Sequence, residues 1–455
     1  MAGADAARSA GPPSAVPDGT GGRRGRGLRR ELGLSQVTAS AVGIIIGAGI
    51  YVLLGPATAK AGAAVWLSFL VAGLLSALTA LSYAELASMF PSAGAEFEYA
   101  RQVWPPWLAF IVGWVMVVGL IVAGAAVALG FAAYLQHFFA VPLRVGALGL
   151  LGVVAAVAGR GIRRSARLTV VLSLVQISGL VLIIAIGAPH VGEQSLITGA
   201  SIGGVVSGAA LVFFAFIGFD EVITLSDETR DPSRKIPQGL LLGLAISTLL
   251  YVAVAIAAVS VLGPHSLAIA PQPLTAVMQQ GVGPSSADLV AAIALVATLN
   301  TTLLLVTAAS RLLYGMASRG ALPSPLTWTS QAGVPWVGVL IAVAGGAASV
   351  LLGHIEVVAS VTDFAVYLVF LAVNAIVVIL RWHRPDQVRP FRVPVAIGRT
   401  PVLPLAAVAV VAVLLPGIDP AAALLGTVLV LVGLLLHAVI GRRERDGTSG
   451  AGSDR

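Results

Sequence analysis

Two stretches of this chain place glycines and carboxylates where an apolar helix would otherwise run unbroken. The first, GIIIGAGIYVLLG at 43–55, sets Gly43, Gly47 and Gly49 within seven residues. A glycine inside a helix costs about 1 kcal/mol relative to alanine, so the spacing predicts an unwound segment; a close helix–helix crossing is the other reading of the same glycines. Unwinding frees backbone groups and aims a half-helix N-terminus at an anionic ligand. The second stretch, FFAFIGFDEVITLSDETRDPSRKIP at 213–237, is interrupted by Gly218 and followed at once by Asp220 and Glu221. Adjacent carboxylates in an apolar run are expensive unless they face a cavity, a partner or a proton path. Amides for an anion, carbonyls for a cation and carboxyls for a proton amount to binding chemistry. Cysteine is absent, which excludes disulfides and thiolate chemistry, and the six histidines stand singly, without metal-ligand spacing.

The elements that must position these groups are membrane helices. Of the 455 residues 58% are hydrophobic and only 10% charged, with a mean hydropathy of +0.96, too little charge to cover a soluble protein of this size. Apolar runs long enough to cross a ~30 Å hydrocarbon core recur along the chain. The pattern predicts an all-α polytopic membrane protein with about twelve spans: 36–60, 64–90, 106–138, 143–159, 166–188, 200–226, 237–263, 288–316, 335–353, 357–381, 401–416 and 420–441. With the N-terminus in the cytoplasm, 25 of the 27 Lys and Arg residues fall on the cytoplasmic side, leaving Lys60 and Arg144 outside. The net charge of +7 then reads as a basic membrane face and not as a nucleic-acid surface. Residues 1–33 and 442–455 read as polar cytoplasmic tails around a transporter domain at 34–441. A membrane enzyme would need a paired nucleophile and base or clustered metal ligands, and a sensor would need a separate soluble domain; neither pattern is present. If the first ten spans form two repeats of five, spans one and six correspond. Paired glycine breaks at matching positions point to a transporter's binding site.

Several stretches resemble the amino acid–polyamine–organocation (APC) superfamily, particularly bacterial permeases similar to cationic amino acid transporters. They are IIIGAGIYVLLGPA at 44–57, SYAELASMFPSAGAEFEYA at 82–100, FFAFIGFDEVITLSDETRDPSRKIPQGLL at 213–241, SRLLYGMASRGALP at 310–323 and RPFRVPV at 389–395. The resemblance implies a LeuT/APC-type fold of five plus five inverted helices with two more at the C-terminus. It also implies alternating-access transport of an amino acid across the cytoplasmic membrane, with no cofactor and no metal. By that resemblance the amides of Gly47, Ala48 and Gly49 hold the substrate carboxylate, and carbonyls near Ile45, Ile46, Phe214, Ala215 and Ile217 hold its ammonium group. Phe216 and Phe219 stand where they cover a ligand, or simply pack.

Two departures from the family pattern bear on mechanism. Many proton-coupled relatives carry a lysine in the fifth helix, where this chain has Gln176. Glutamine cannot lose a proton near neutral pH, so coupling passes through another group, with Asp220 and its neighbour Glu221 as coupling or gating candidates, or the protein exchanges substrates. Thr301 and Thr302 offer hydroxyl oxygens for sodium, or bond back to their own helix. The third span, GWVMVVGLIVAG at 113–124, lacks the acid that cationic-selective relatives have there. That points to neutral amino acids, with cationic amino acids, polyamines or other organic amines as the alternative cargo. Glu85 and Arg101 are expected in gate or structural pairs, and Asn300 and Asn374 in interhelical hydrogen bonds.

Overall fold

The structure is a computed structural model and describes residues 32–90, 95–159, 165–330, 333–352 and 355–450. The first expected span is two half-helices, α1 (Leu34–Ile45) and α2 (Gly49–Ala61), followed by α3 (Val65–Met89). A short α4 (Ala95–Arg101) leads into α5 (Pro106–Leu135), α6 (Leu143–Gly159) and α7 (Ser165–Gly187). The sixth span begins as α8 (Ile202–Val212) and continues in 3-10 turns at Phe213–Phe216 and Phe219–Glu228. The chain goes on through α9 (Pro232–Ile269), α10 (Pro273–Gly281), α11 (Ala287–Ser318), α12 (Trp336–Leu352) and α13 (Ile355–His383). A two-residue hairpin, β1 (Ala396–Ile397) with β2 (Thr400–Pro401), precedes α14 (Val402–Leu414) and α15 (Pro420–Gly450).

Eight helical stretches among the described residues are long and apolar enough to cross a membrane, and four shorter apolar helices accompany them. Large apolar side chains cover the outside as well as filling the core, and a minority of polar groups are buried with them. Leu74, Leu249 and Leu435 are exposed, whereas Ser76, Asn374 and Asp363 are buried. In a hydrocarbon solvent the outer surface gains nothing by being polar, and polar groups must find partners inside. Helix α5 lies at the centre, packed against α11 and α13, while α15 is peripheral.

Three boundaries differ from expectation for local reasons. Leu32 pairs with Thr229, and the Arg230 amide donates to the Leu32 carbonyl at 3.1 Å, so residues before 34 also pack on the helical body. Most of the expected N-terminal tail lies outside the described residues. The expected end of span seven at Gly263 is a kink (φ 73°, ψ 159°), after which Pro264 opens a further helical turn within α9. The segment 442–450, expected as a tail, continues α15.

The end of the fold rich in arginine is tied by one buried carboxylate. Glu85 of α3 accepts from Nε of Arg381 at 3.0 Å, from Nη2 of Arg381 and from the Val393 amide at 2.7 Å, and Arg389 adds an ion pair at 3.3 Å. The RPFRVPV stretch is thus pinned beneath α3 and α13. Arg101 pairs with Glu98 of its own helix at 3.7 Å.

Candidate functional site

The two breaks form where the glycines are and lie against each other. Residues 46–48 are non-helical between α1 and α2. A Cβ on Gly49 would stand 2.5 Å from the Cα of Ala215, so the backbone of the second break occupies the space a side chain would need. One on Gly47 would meet the Thr301 hydroxyl of α11 at 3.0 Å. Gly43 does a different job: it lies inside α1, where its carbonyl accepts from the Ser173 hydroxyl of α7 at 3.1 Å, a helix crossing. At the second break Ile217 is extended and Gly218 has φ +107°, a left-handed value that L side chains rarely adopt.

Backbone groups at the first break already have intramolecular partners. The Gly47 amide donates to the Ile45 carbonyl at 2.8 Å, and the Ala48 amide donates to Oγ1 of Thr301 at 3.0 Å. Of the three amides expected to meet a carboxylate, Gly49 remains. As the first residue of α2 it joins Ile50 and Tyr51 as the donors that a helix N-terminus leaves without intrahelical acceptors. The two threonines part company, because the Thr302 hydroxyl bonds back to the Thr298 carbonyl at 2.8 Å.

Tyr251 of α9 joins the breaks. Its hydroxyl is 3.0 Å from both the Ile45 and the Ala215 carbonyl oxygens, so a single donated proton is shared between two acceptors expected at the ammonium site. A hydroxyl there satisfies carbonyls that helix interruption leaves bare. The ring packs edge-on against Phe216 at 5.2 Å and near Phe69 at 5.7 Å. Nothing in the sequence marked Tyr251, a lone tyrosine in an apolar run.

The remaining expected residues are distributed as follows. Ile46, Phe214 and Phe216 are buried at the breaks. Phe219 is a packing residue, its ring 5.5 Å from Tyr83 and 5.4 Å from Phe370. Gln176 is fully buried on α7, its carbonyl accepting from the Tyr51 hydroxyl at 2.6 Å, and both atoms of its side-chain amide are unpaired among the described residues. Backbone amides of Gly218 and Asp220 itself face the Asp220 carboxylate, and Arg311 lies within electrostatic reach of Glu221.

Glu96, which the sequence reading passed over, belongs with these carboxylates. It lies on α4, outside the apolar spans, and accepts from the Tyr83 hydroxyl at 3.2 Å. Burial and the nearby Asp220 charge push its carboxyl up to about 8.

Exposure around the breaks is one-sided. Ile44, Gly47, Ile217, Gly218, Asp220 and Glu221 are half-buried, whereas 48–55 and 208–216 are buried throughout. The partly exposed positions at the breaks thus lie on the Asp220 side, and those of α2 and α8 next to the breaks are closed off.

Comparison with known proteins concerns the chain as a whole. Residues 32–436 match the family described as amino acid permease. The branched-chain amino acid permease BcaP of Bacillus subtilis is 29% identical, covering 92% of this chain and 94% of its own. A methylthioribose transporter of the same organism is 29% identical over 84% of this chain and 87% of its own. The vacuolar cationic amino acid transporter 4 of Arabidopsis thaliana is 30% identical over 79% of this chain and 65% of its own.

Proposed function

The chain belongs to the amino acid permease family, and from that premise we propose that it is a secondary transporter of neutral amino acids, working by alternating access around the two breaks. Its body is twelve spans, two inverted repeats of five followed by two further helices, in the cytoplasmic membrane with both termini and the arginine-rich face in the cytoplasm. Eight long apolar helices with four shorter ones, and the one-sided charge of the sequence, support that topology.

The observation that carries the reading is the Tyr251 hydroxyl shared between the Ile45 and Ala215 carbonyls. A ligand ammonium suits the same pair of acceptors, while the Gly49 end of α2 offers amides and a positive dipole end to a carboxylate. A zwitterion meets both without a buried ionic side chain. In this conformation the site opens toward the cytoplasm. Binding from the other side requires α2 and α8 to move away from their neighbours, and Thr301 to release or retain the Ala48 amide as they do so.

Substrate class follows from the walls. From Pro106 to Leu135, α5 carries no carboxylate, and Tyr134 is its only ionisable side chain. A lysine or arginine side chain has no counter-ion on that helix, which favours neutral cargo, as does the name of the branched-chain relative. Counterflow of L-leucine into liposomes tests this. The reading expects leucine exchange that is inhibited by other neutral amino acids and indifferent to arginine. Uptake competed by arginine and unaffected by leucine or alanine would sink it.

A further inference from the structure

One face of α13 carries Asp363, Tyr367, Phe370, Asn374 and Arg381, at intervals of three, four and seven residues that bring them into a single stripe. The stripe faces α3, α8 and the turn at Phe213–Phe216. Its polar members are matched one after another. The Asn374 amide donates to Oγ1 of Thr79 at 3.1 Å, and its oxygen accepts from the Ser82 hydroxyl at 2.7 Å. Arg381 holds Glu85, and the Tyr367 hydroxyl reaches the Ala210 carbonyl at 3.4 Å. Asp363 is the exception. It is fully buried, and neither of its carboxyl oxygens has a hydrogen-bond partner among the described residues.

Among the described residues no opposite charge faces it. Helices α8 and α14 carry no ionisable side chain, and α5 carries only Tyr134, whose hydroxyl donates to the Tyr51 carbonyl. On α3, Tyr83 stops at the level of Phe370, and Glu85 lies with Arg381, 18 residues or about 27 Å along α13 from Asp363. The acids, Tyr99 and Arg101 of α4 are at that same end. On the last helix, His437 stacks on Phe110, and the Asp419 carboxylate just before it caps the α15 amides. Glu356, two turns back on α13, is exposed. Among the described residues, Tyr367 is the ionisable neighbour within electrostatic reach.

We infer that Asp363 is a proton-binding site whose occupancy is tied to the position of α8 and the turn packed over it, so that a proton is taken up and released once per transport cycle. The inference rests on the transporter reading above. A carboxylate without a partner in an apolar interior is strongly disfavoured, so the proton stays on Asp363 while α8 seals it. When α8 swings from α13 to open the site toward the side away from Arg381, water reaches the carboxyl. The O–H bond breaks, the proton passes to that water, and the carboxylate is solvated. Closing again requires a proton from the same side. Gln176 has no proton to lose, and Asp220 sits on the half-exposed side of the breaks, so neither supplies this sealed, state-dependent site.

The test uses the full chain in liposomes holding a pH-sensitive dye, with L-leucine exchange measured in parallel. Because the proton leaves to and returns from one side, wild-type leucine exchange should slow severalfold as the side opposite the arginine-rich face is made alkaline, with no net proton movement. Asp363→Asn should exchange leucine at a rate indifferent to that pH. Wild-type exchange that is insensitive to that pH, or exchange by Asp363→Asn that keeps the wild-type pH dependence, overturns the inference and leaves the transporter reading standing. Absence of exchange with any amino acid overturns the transporter reading itself and this inference with it. If Asp363→Asn does not fold, Asp363→Glu decides: a displaced pH profile of exchange supports the site, and an unchanged profile contradicts it.

Discussion

Gly49 and Ala215, from two breaks 166 positions apart in the chain, meet so closely that a methyl on the former would lie 2.5 Å from the Cα of the latter and 2.7 Å from its Cβ. The neighbour is backbone and cannot rotate aside. Gly49→Ala should therefore push the breaks apart, with a destabilisation of about 1–3 kcal/mol, typical of overpacking, and loss of substrate binding. Thermal unfolding and leucine binding of the purified variant measure the two effects.

Thr301 and Thr302 are adjacent yet bonded differently, and substitution should separate them. Thr301→Val strips the acceptor from the Ala48 amide, at a cost of about 1–3 kcal/mol for a buried donor left unpaired, and should alter substrate affinity. Thr302→Val removes a hydroxyl bonded only within α11 and should stay within about 0.5 kcal/mol of the wild type. Equal effects of the two substitutions on leucine binding would contradict the assignment of Thr301 to the break.

Tyr251→Phe keeps the ring against Phe216 and removes the hydroxyl shared by Ile45 and Ala215. A net hydrogen bond of about 1 kcal/mol corresponds to a change of roughly fivefold in KM for leucine uptake. An unchanged KM would detach Tyr251 from the site.

Glu96 gives a stability effect with a definite sign. Its carboxyl is pushed from 4.5 to about 8 by burial and by Asp220. The folded protein therefore holds a proton that the unfolded chain has already lost, and the resulting loss of stability grows as pH rises through that window. Glu96→Gln cannot lose a proton, so it should gain on the wild type in melting temperature as the pH is raised from about 5 to about 8. A difference that is constant with pH would contradict the shift.

Both breaks were legible because glycine acts locally: Gly47–Gly49 interrupts span one, and Gly218 supplies a φ that few other residues adopt. The inward-facing polar residues were legible as types but not as partners. Glu85 finds Arg381 296 positions away, and the Ala48 amide finds Thr301 253 positions away, distances over which no periodicity carries information. Gly43 shows the limit of the glycine signal, since it serves a crossing beside two glycines that serve a break. Tyr251 and Asp363 were passed over because a single polar residue in an apolar run has no spacing to mark it, and Glu96 because it lies in a polar stretch outside those runs. What sets each apart is its tertiary surroundings: a shared hydroxyl, a neighbouring carboxylate, and the want of a hydrogen-bond partner among the described residues.

The central claim is that the breaks recognise an α-ammonium and an α-carboxylate together. Its most direct test is ligand-induced thermal stabilisation of the purified protein, because stabilisation follows occupancy of the folded state. L-leucine should be compared with its amide, which lacks the carboxylate, with its deaminated analogue 4-methylpentanoate, which lacks the ammonium group, and with a polyamine. Stabilisation by leucine alone, at concentrations where the other three do nothing, is the predicted result. Equal stabilisation by the amide or the polyamine would contradict the account.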